Sequence, residues 1–156
     1  KAEGSASLRQ VVNDKAIAGL GWNRLQRVLL TLVGAGYLQP CPNQDTDAES
    51  RKESIKGLND VIMAKARHSG DLSYLASPVT GSGVHVNRIT QLFLLAMQEN
   101  SANPVAYVWN IFKLNNQKLT KEGKPLETDQ ENIEILKEKY ADFQKHMPVL
   151  KRLGIV

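Results

Sequence analysis

The pattern of apolar residues predicts two helices and one strand in the first 41 residues. The longer helix is predicted from Arg24 to Ala35, where apolar side chains recur every three or four positions. A shorter helix is predicted from Ser7 to Ala16, and Tyr37 to Gln39 is expected to form a short strand that nearby prolines end. The apolar face of the longer helix consists of Leu25, Val28, Leu29, Leu32 and Val33.

A larger helical domain is predicted over residues 49–156, after a linker or flexible loop at residues 42–48 that has no hydrophobic periodicity. The segment from Arg88 to Glu99 leaves little polar face, so we expect it to be the central core helix. The fold class is therefore mostly α, with one or two short strands. The other expected elements are a helix from Glu49 to His68, a strand from Leu72 to Ser77, a helix opened by Asn103 and Pro104, a hairpin around Gly123, a helix capped by Thr128 and Glu131, and an apolar tail from Pro148 to Leu153.

The composition is that of an ordinary globular domain. Hydrophobic residues make up 42% of the chain and charged residues 23%, which excludes disordered, collagen-like and membrane classes. The longest apolar stretch, Val28 to Leu38, is too short to cross a bilayer core of roughly 30 Å. Cys41 is the only cysteine, which favours a reducing compartment, so we expect a cytoplasmic location. Neither a charged segment nor an apolar segment typical of a signal peptide opens the chain at Lys1, so we expect no signal peptide in it and a longer parent protein.

The sequence contains no motif typical of catalysis, cofactor binding or metal binding. Gly81 and Gly83 form a Gly-x-Gly, but Val86 stands where a dinucleotide-binding loop needs a third glycine. Cys41 is flanked by prolines and lacks a histidine partner close in sequence. The three histidines are too widely spaced for a zinc motif: His68, His85 and His146. No residue is therefore assigned a catalytic, cofactor-binding or metal-ligating role.

The polar face of the second helix suggests one alternative function. Arg24, Arg27 and Thr31 lie opposite the apolar stripe, where a helix-turn-helix protein presents residues to DNA. Two arginines on a solvated helix face are also common without any ligand. The net charge of +4, from 20 basic and 16 acidic residues, is too even to indicate nucleic acid, so we favour the solvated face.

The turn from Pro78 to Gly83 suggests a second candidate site. Its glycines are expected to adopt backbone angles closed to other residues, and Thr80, Ser82 and His85 would line a partner or substrate groove if they converged. The simpler interpretation, which we favour, is a connector between a strand and the core helix.

Three segments together resemble the C-terminal region of the bacterial methyltransferase regulatory domain family. They are Leu25 to Cys41 (LQRVLLTLVGAGYLQPC), Tyr74 to Leu95 (YLASPVTGSGVHVNRITQLFLL), and Lys121 to Leu126 (KEGKPL) with the following helix and the closing PVLKRLGI. The first is similar to the family's degenerate winged-helix element. The matches are patterns of packing and turns, and they cover most of the chain in the family's order.

The resemblance implies a winged-helix-like unit over residues 1–41 and a helical accessory domain over residues 49–156. It also implies a non-catalytic role in a bacterial methyltransferase, in regulation or in recognition of a protein substrate. S-adenosylmethionine is then expected in an upstream catalytic domain of the same polypeptide and not in this chain. The alternatives are a winged-helix nucleic-acid module and a structural domain that forms a homodimer.

Overall fold

The computed structural model describes residues 6–42 and 48–156 of the chain. The chain divides into two compact units, Lys1–Pro40 and Cys41–Val156. The linker predicted at residues 42–48 falls mostly on residues 43–47, which lie outside the described residues. The mostly α-helical fold class with short strands is confirmed.

The first unit contains two helices among its described residues, α1 (Leu8–Val12) and α2 (Trp22–Gly34). Ser7 caps α1 in a capping box: its Oγ accepts from the Gln10 N–H at 3.2 Å, and the Gln10 Oε1 accepts from the Ser7 N–H at 2.7 Å. Helix α2 begins at Trp22, directly after Gly21, and no side chain caps it.

The strand predicted at Tyr37 to Gln39 is not formed. The backbone N–H groups of Tyr37 and Leu38 both donate to the carbonyl of Leu32, at 2.9 and 3.2 Å. These bonds close the end of α2 and occupy the donors that a strand would need. The described residues of this unit contain no strand, so the structure does not support a winged-helix-like fold for residues 1–41.

The second unit combines helices with two short antiparallel hairpins. The hairpin predicted around Gly123 is confirmed, whereas Ser82 and Gly83, which are predicted to lie in a turn, begin the second strand of the first hairpin. The elements are α3 (Ala48–Lys65), β1 (Tyr74–Ser77), β2 (Ser82–His85), α4 (Arg88–Gln98), α5 (Pro104–Leu114), β3 (Thr120–Lys121), β4 (Lys124–Pro125) and α6 (Asp129–Arg152).

Helix α4 is the centre of this unit, as its apolar sequence predicts. It contacts α3, α5 and α6 and is buried from Gln91 to Ala96. Phe93, which is fully buried, lies against the rings of Tyr140 and Phe143 of α6, with centroids 5.0 and 5.4 Å away. The first hairpin is joined to this core because the Gln91 Nε2 donates to the carbonyls of Leu72 and Val86.

Helix α6 continues through Pro148, so the separate apolar tail predicted from that residue is wrong. The proline sits on an exposed face and removes one backbone donor, while Leu150 beyond it stays buried in the core. Burial of the apolar face therefore outweighs the lost hydrogen bond. In the part of the chain that the structure describes, no helix is long and apolar enough to cross a membrane.

Candidate functional site

The second unit contains an open groove of about 880 Å³ along one face of α6. The lining residues on this face begin at Lys139 of α6 and end at Leu153, which directly follows the helix. At the α-helical rise per residue this stretch is about 21 Å long. The opposite side is formed by β2, the first turn of α4, the end of α5 and β3.

The floor of the groove is apolar. Its side chains come from α5, α6 and the connecting segments next to β2 and β3, and they are also part of the hydrophobic core of the unit. A floor of this kind can bury apolar side chains of a ligand, while a polar rim sets the ligand's orientation. The buried floor residues are Val86, Phe112, Leu119, Phe143 and Leu150.

The rim of the groove is mainly basic. Arg88, Lys118 and Lys139 contribute three positive charges, whereas Asp142 is the single acidic residue among those that line it. The Asp142 carboxylate accepts from the Lys145 Nζ at 2.9 Å, and this ion pair lowers the pKa of Asp142. The acidic charge of the rim is therefore already compensated.

Arg88 has a structural role at this rim. Its Nε and Nη2 donate to the carbonyls of Ala66 and Arg67, at 2.7 and 3.1 Å, and its Nη1 donates to Gln117 Oε1 at 2.7 Å. The guanidinium also lies over the Phe112 ring, 4.9 Å from the centroid, and burial lowers its pKa. Arg88 thus holds the α4 end of the groove and adds positive potential, with its donors engaged by the protein.

The two lysines are more accessible. Lys118 and Lys139 are both exposed, one before β3 and the other on α6. The Lys118 Nζ donates to the carbonyl of Glu127 at 3.1 Å, an exposed contact that a carboxylate can replace. The accessible positive charges therefore lie at both sides of the groove.

The three residues proposed for a substrate groove do not converge. Thr80 is buried in the turn, where its N–H donates to Ser77 Oγ at 3.2 Å and its Oγ1 accepts from Ser82 Oγ at 3.1 Å. His85 is exposed, contacts the Tyr74 ring edge to face, and lines the groove described above. Thr80 and Ser82 thus organise the turn, and only His85 belongs to the groove.

The two glycines of this turn differ. Gly81 has a φ of +64°, in the left-handed region, as expected. Gly83 is not among the residues with positive φ, and a Cβ there would lie 3.5 Å from the nearest Tyr74 atoms, an ordinary contact. The expectation of a closed backbone angle is therefore wrong for Gly83.

The residues of the nucleic-acid alternative lie on α2 of the first unit. Arg24, Arg27 and Thr31 are all exposed, in agreement with a solvated polar face. Several apolar residues of the same helix are exposed as well, including Val28 at 44% and Leu30 at 63%. This helix therefore presents a mixed surface and not a dense basic stripe.

The described residues contain no group of three or more His, Cys, Asp or Glu side chains that could hold a metal ion. The groove itself was missed at the sequence level because its residues come from elements far apart in the chain. One signal was present: Lys139 and His146 share a face of α6 with the buried Phe143 and Leu150. An amphipathic helix normally carries its polar residues on the face opposite the core, so these two positions depart from that pattern.

Comparison with known proteins gives one informative match. The chain is 35% identical over 153 residues to the uncharacterized protein sll1526 of Synechocystis sp.. The match covers 97% of this chain and 30% of that protein, so the chain spans about a third of its relative's length. No family model matches the chain. No solved structure matches it either.

Proposed function

We propose that this chain is a non-catalytic accessory domain of a bacterial S-adenosylmethionine-dependent methyltransferase, and that it binds the protein substrate through the groove beside α6. The groove is the observation that carries the proposal, because an apolar floor with a polar rim suits a protein segment. The resemblance of three segments to the methyltransferase regulatory domain family supplies the link to methyl transfer.

The size of the relative supports an accessory role. The matched region is 30% of that protein, which leaves room for a catalytic domain outside it. In our proposal such a domain precedes this chain in the same polypeptide, binds the methyl donor and carries out the chemistry. A cytoplasmic location is part of the proposal, since a reducing compartment suits the exposed thiol of Cys41.

The first test concerns the methyl donor. The isolated chain is expected not to bind S-adenosylmethionine, whereas a polypeptide extended upstream is expected to bind it with micromolar affinity in calorimetry. Saturable binding to the isolated chain, with a free energy of about −8 kcal/mol, would contradict the accessory role. No binding by the extended polypeptide would contradict the assignment to methyltransferases.

The second test concerns the groove. Radiolabelled methyl transfer to the proteins of a cell extract is compared for the extended polypeptide carrying Lys139→Glu and for a control carrying Lys137→Glu. Both lysines are exposed on α6, but only Lys139 lines the groove. We expect Lys139→Glu to abolish labelling of at least one protein while donor binding is retained. Equal labelling by the two variants would exclude the groove from substrate recognition.

A further inference from the structure

The hydrogen bonds of one side chain, that of Asn59, show which way the backbone groups of β1 point. Asn59 of α3 bonds both backbone groups of Ala76: its Oδ1 accepts from the Ala76 N–H at 2.7 Å, and its Nδ2 donates to the Ala76 carbonyl at 2.9 Å. The N–H and C=O of Ala76 therefore point away from β2. The outer edge of β1 is thus covered by α3 at this residue.

The register transfers this orientation to β2. Ala76 faces Gly83 and Tyr74 faces His85 in the antiparallel pair. In an antiparallel pair, two residues that face each other either both point their N–H and C=O groups toward the partner strand or both point them away from it. The N–H and C=O of Gly83, and those of His85 two residues further, therefore point away from β1. Among the described residues, no hydrogen bond engages these four groups.

The second hairpin has a similar edge. The Leu126 N–H donates to the Leu119 carbonyl at 2.9 Å, so residue 119 points its carbonyl toward β4. Thr120, the next residue, then points its backbone groups away from β4, and it faces Pro125, which has no N–H to pair with it. The outer edge of β3 at Thr120 is thus also without a strand partner among the described residues.

The groove runs along both of these edges. It is lined by Val84 and His85 of β2, by Thr120 of β3 and by the residues next to these strands, and by no residue of β1 or β4. Val84 and His85 are consecutive in β2 and point to opposite faces of the hairpin, so one groove meets both of them only along the edge of the strand. Unpaired edge groups beside an apolar groove are what proteins use to bind an extended peptide as an added strand.

We propose that the groove binds an extended, acidic segment of the protein substrate, which adds as a strand to the free edge of β2. This inference rests on the proposed function of the groove. Backbone pairing takes place at His85 in the groove and continues at Gly83, next to the groove lining. Alternate side chains of the peptide cover the apolar floor, and the others place carboxylates near Lys118 and Lys139. Acidic segments are favoured because the lining residues include Arg88, Lys118 and Lys139. The carboxylate among the lining residues, that of Asp142, is already paired with Lys145.

The test uses the full 156-residue chain and labelled peptide libraries. One library of eight-residue peptides has Glu at alternate positions and random apolar residues between them, and the control library has Lys in place of Glu. We expect saturable fluorescence anisotropy with the acidic library only. Absence of saturation up to about 1 mM peptide, or equal binding of the Lys library, would overturn the proposal.

The tightest acidic peptide is then resynthesised with alternate backbone nitrogens methylated, in both registers. Methylation removes the strand donors and leaves every side chain in place, so binding in one register is expected to weaken about tenfold or more. Unchanged affinity in both registers would show that the peptide does not pair with a strand edge.

Two protein variants locate the site. Lys139→Glu is expected to weaken binding of the acidic peptide about tenfold, because it replaces an attraction with a repulsion at the rim. Lys137→Glu makes the same charge change on the same helix outside the groove and is expected to change affinity less than about twofold. Equal effects would place the peptide elsewhere. Circular dichroism checks that both variants fold.

The peptide experiments and the tests of the proposed function can fail independently of each other. If acidic peptides fail to bind while Lys139→Glu still abolishes labelling in the extended polypeptide, the groove recognises another class of segment and only this inference fails. If peptides bind as expected but the extended polypeptide does not bind S-adenosylmethionine, the peptide site stands and the methyltransferase assignment fails.

Discussion

Gly154, directly after the last turn of α6, offers a sharp test of how the end of the chain packs. Its φ is +67°, its N–H donates to the Lys151 carbonyl, and the next N–H, that of Ile155, donates to the Leu150 carbonyl at 3.1 Å. This is the arrangement that ends many helices and favours glycine. A Cβ at this position would lie only 2.7 Å from Cγ and 3.2 Å from Cδ of the Pro78 ring.

The expected cost of Gly154→Ala has two parts. A left-handed backbone angle costs an alanine about 1 kcal/mol. The contact with Pro78 adds about 1 to 3 kcal/mol, because a buried proline ring cannot rotate away as a flexible side chain would. We therefore expect the free energy of unfolding to fall by about 2 to 4 kcal/mol.

Gly123→Ala is the matched control. Gly123 has a similar φ of +78°, but a Cβ there would meet nothing within 4 Å. It should lose only the backbone part, about 1 kcal/mol. Urea unfolding followed by far-ultraviolet circular dichroism measures both variants, and the difference isolates the contact with Pro78. Equal losses would refute the close approach of Gly154 to the turn after β1.

Three further outcomes are expected. Asn59→Ala leaves the N–H and C=O of Ala76 without partners and should lower the free energy of unfolding in urea by about 2 kcal/mol; a loss below about 0.5 kcal/mol would contradict the edge bonds. The pKa of Glu131 is lowered from 4.5, chiefly by hydrogen bonds from Thr128, so its contribution to stability is present above pH 4.5 and lost as the pH falls below that value. Urea midpoints measured against pH should lose this acid-side dependence in Glu131→Gln, and an unchanged profile would refute the assignment. The double variant Arg24→Ala with Arg27→Ala should unfold within about 0.5 kcal/mol of the parent, whereas a loss of several kcal/mol would show that these exposed arginines are paired.

Features set by local chemistry were predictable from the sequence. The segment from Arg88 to Glu99 has almost no polar face, which predicts a helix surrounded by other elements. Helix α4 is surrounded in this way by α3, α5 and α6. Thr128 and Glu131 form the predicted capping box at the start of α6, with the two reciprocal bonds present. Asn103 and Pro104 likewise open α5.

Features that depend on distant partners were not predictable in this way. β2 is a short segment, SGVH, without β-branched alternation, and it becomes a strand because β1 lies beside it. The strand predicted at Tyr37 does not form, because the Tyr37 N–H donates to the Leu32 carbonyl at the end of α2 and no neighbouring strand pairs with this segment among the described residues. The groove depends on tertiary structure throughout, because Lys118 and Lys139 become its two sides only when the segment before β3 is held to α6, where the Leu119 N–H donates to Asn132 Oδ1.

The packing of residues 153 and 154 fastens one end of the groove to the first hairpin. The Ser77 Oγ donates to the Leu153 carbonyl at 2.6 Å, and Gly154 lies against Pro78, so the end of α6 is held to the turn that joins β1 to β2. Leu153 also lines the groove. The helix on one side of the groove and the strand on the other are therefore fastened to each other close to the groove. A site built in this way needs little ordering when a peptide enters, so more of the contact free energy appears as affinity.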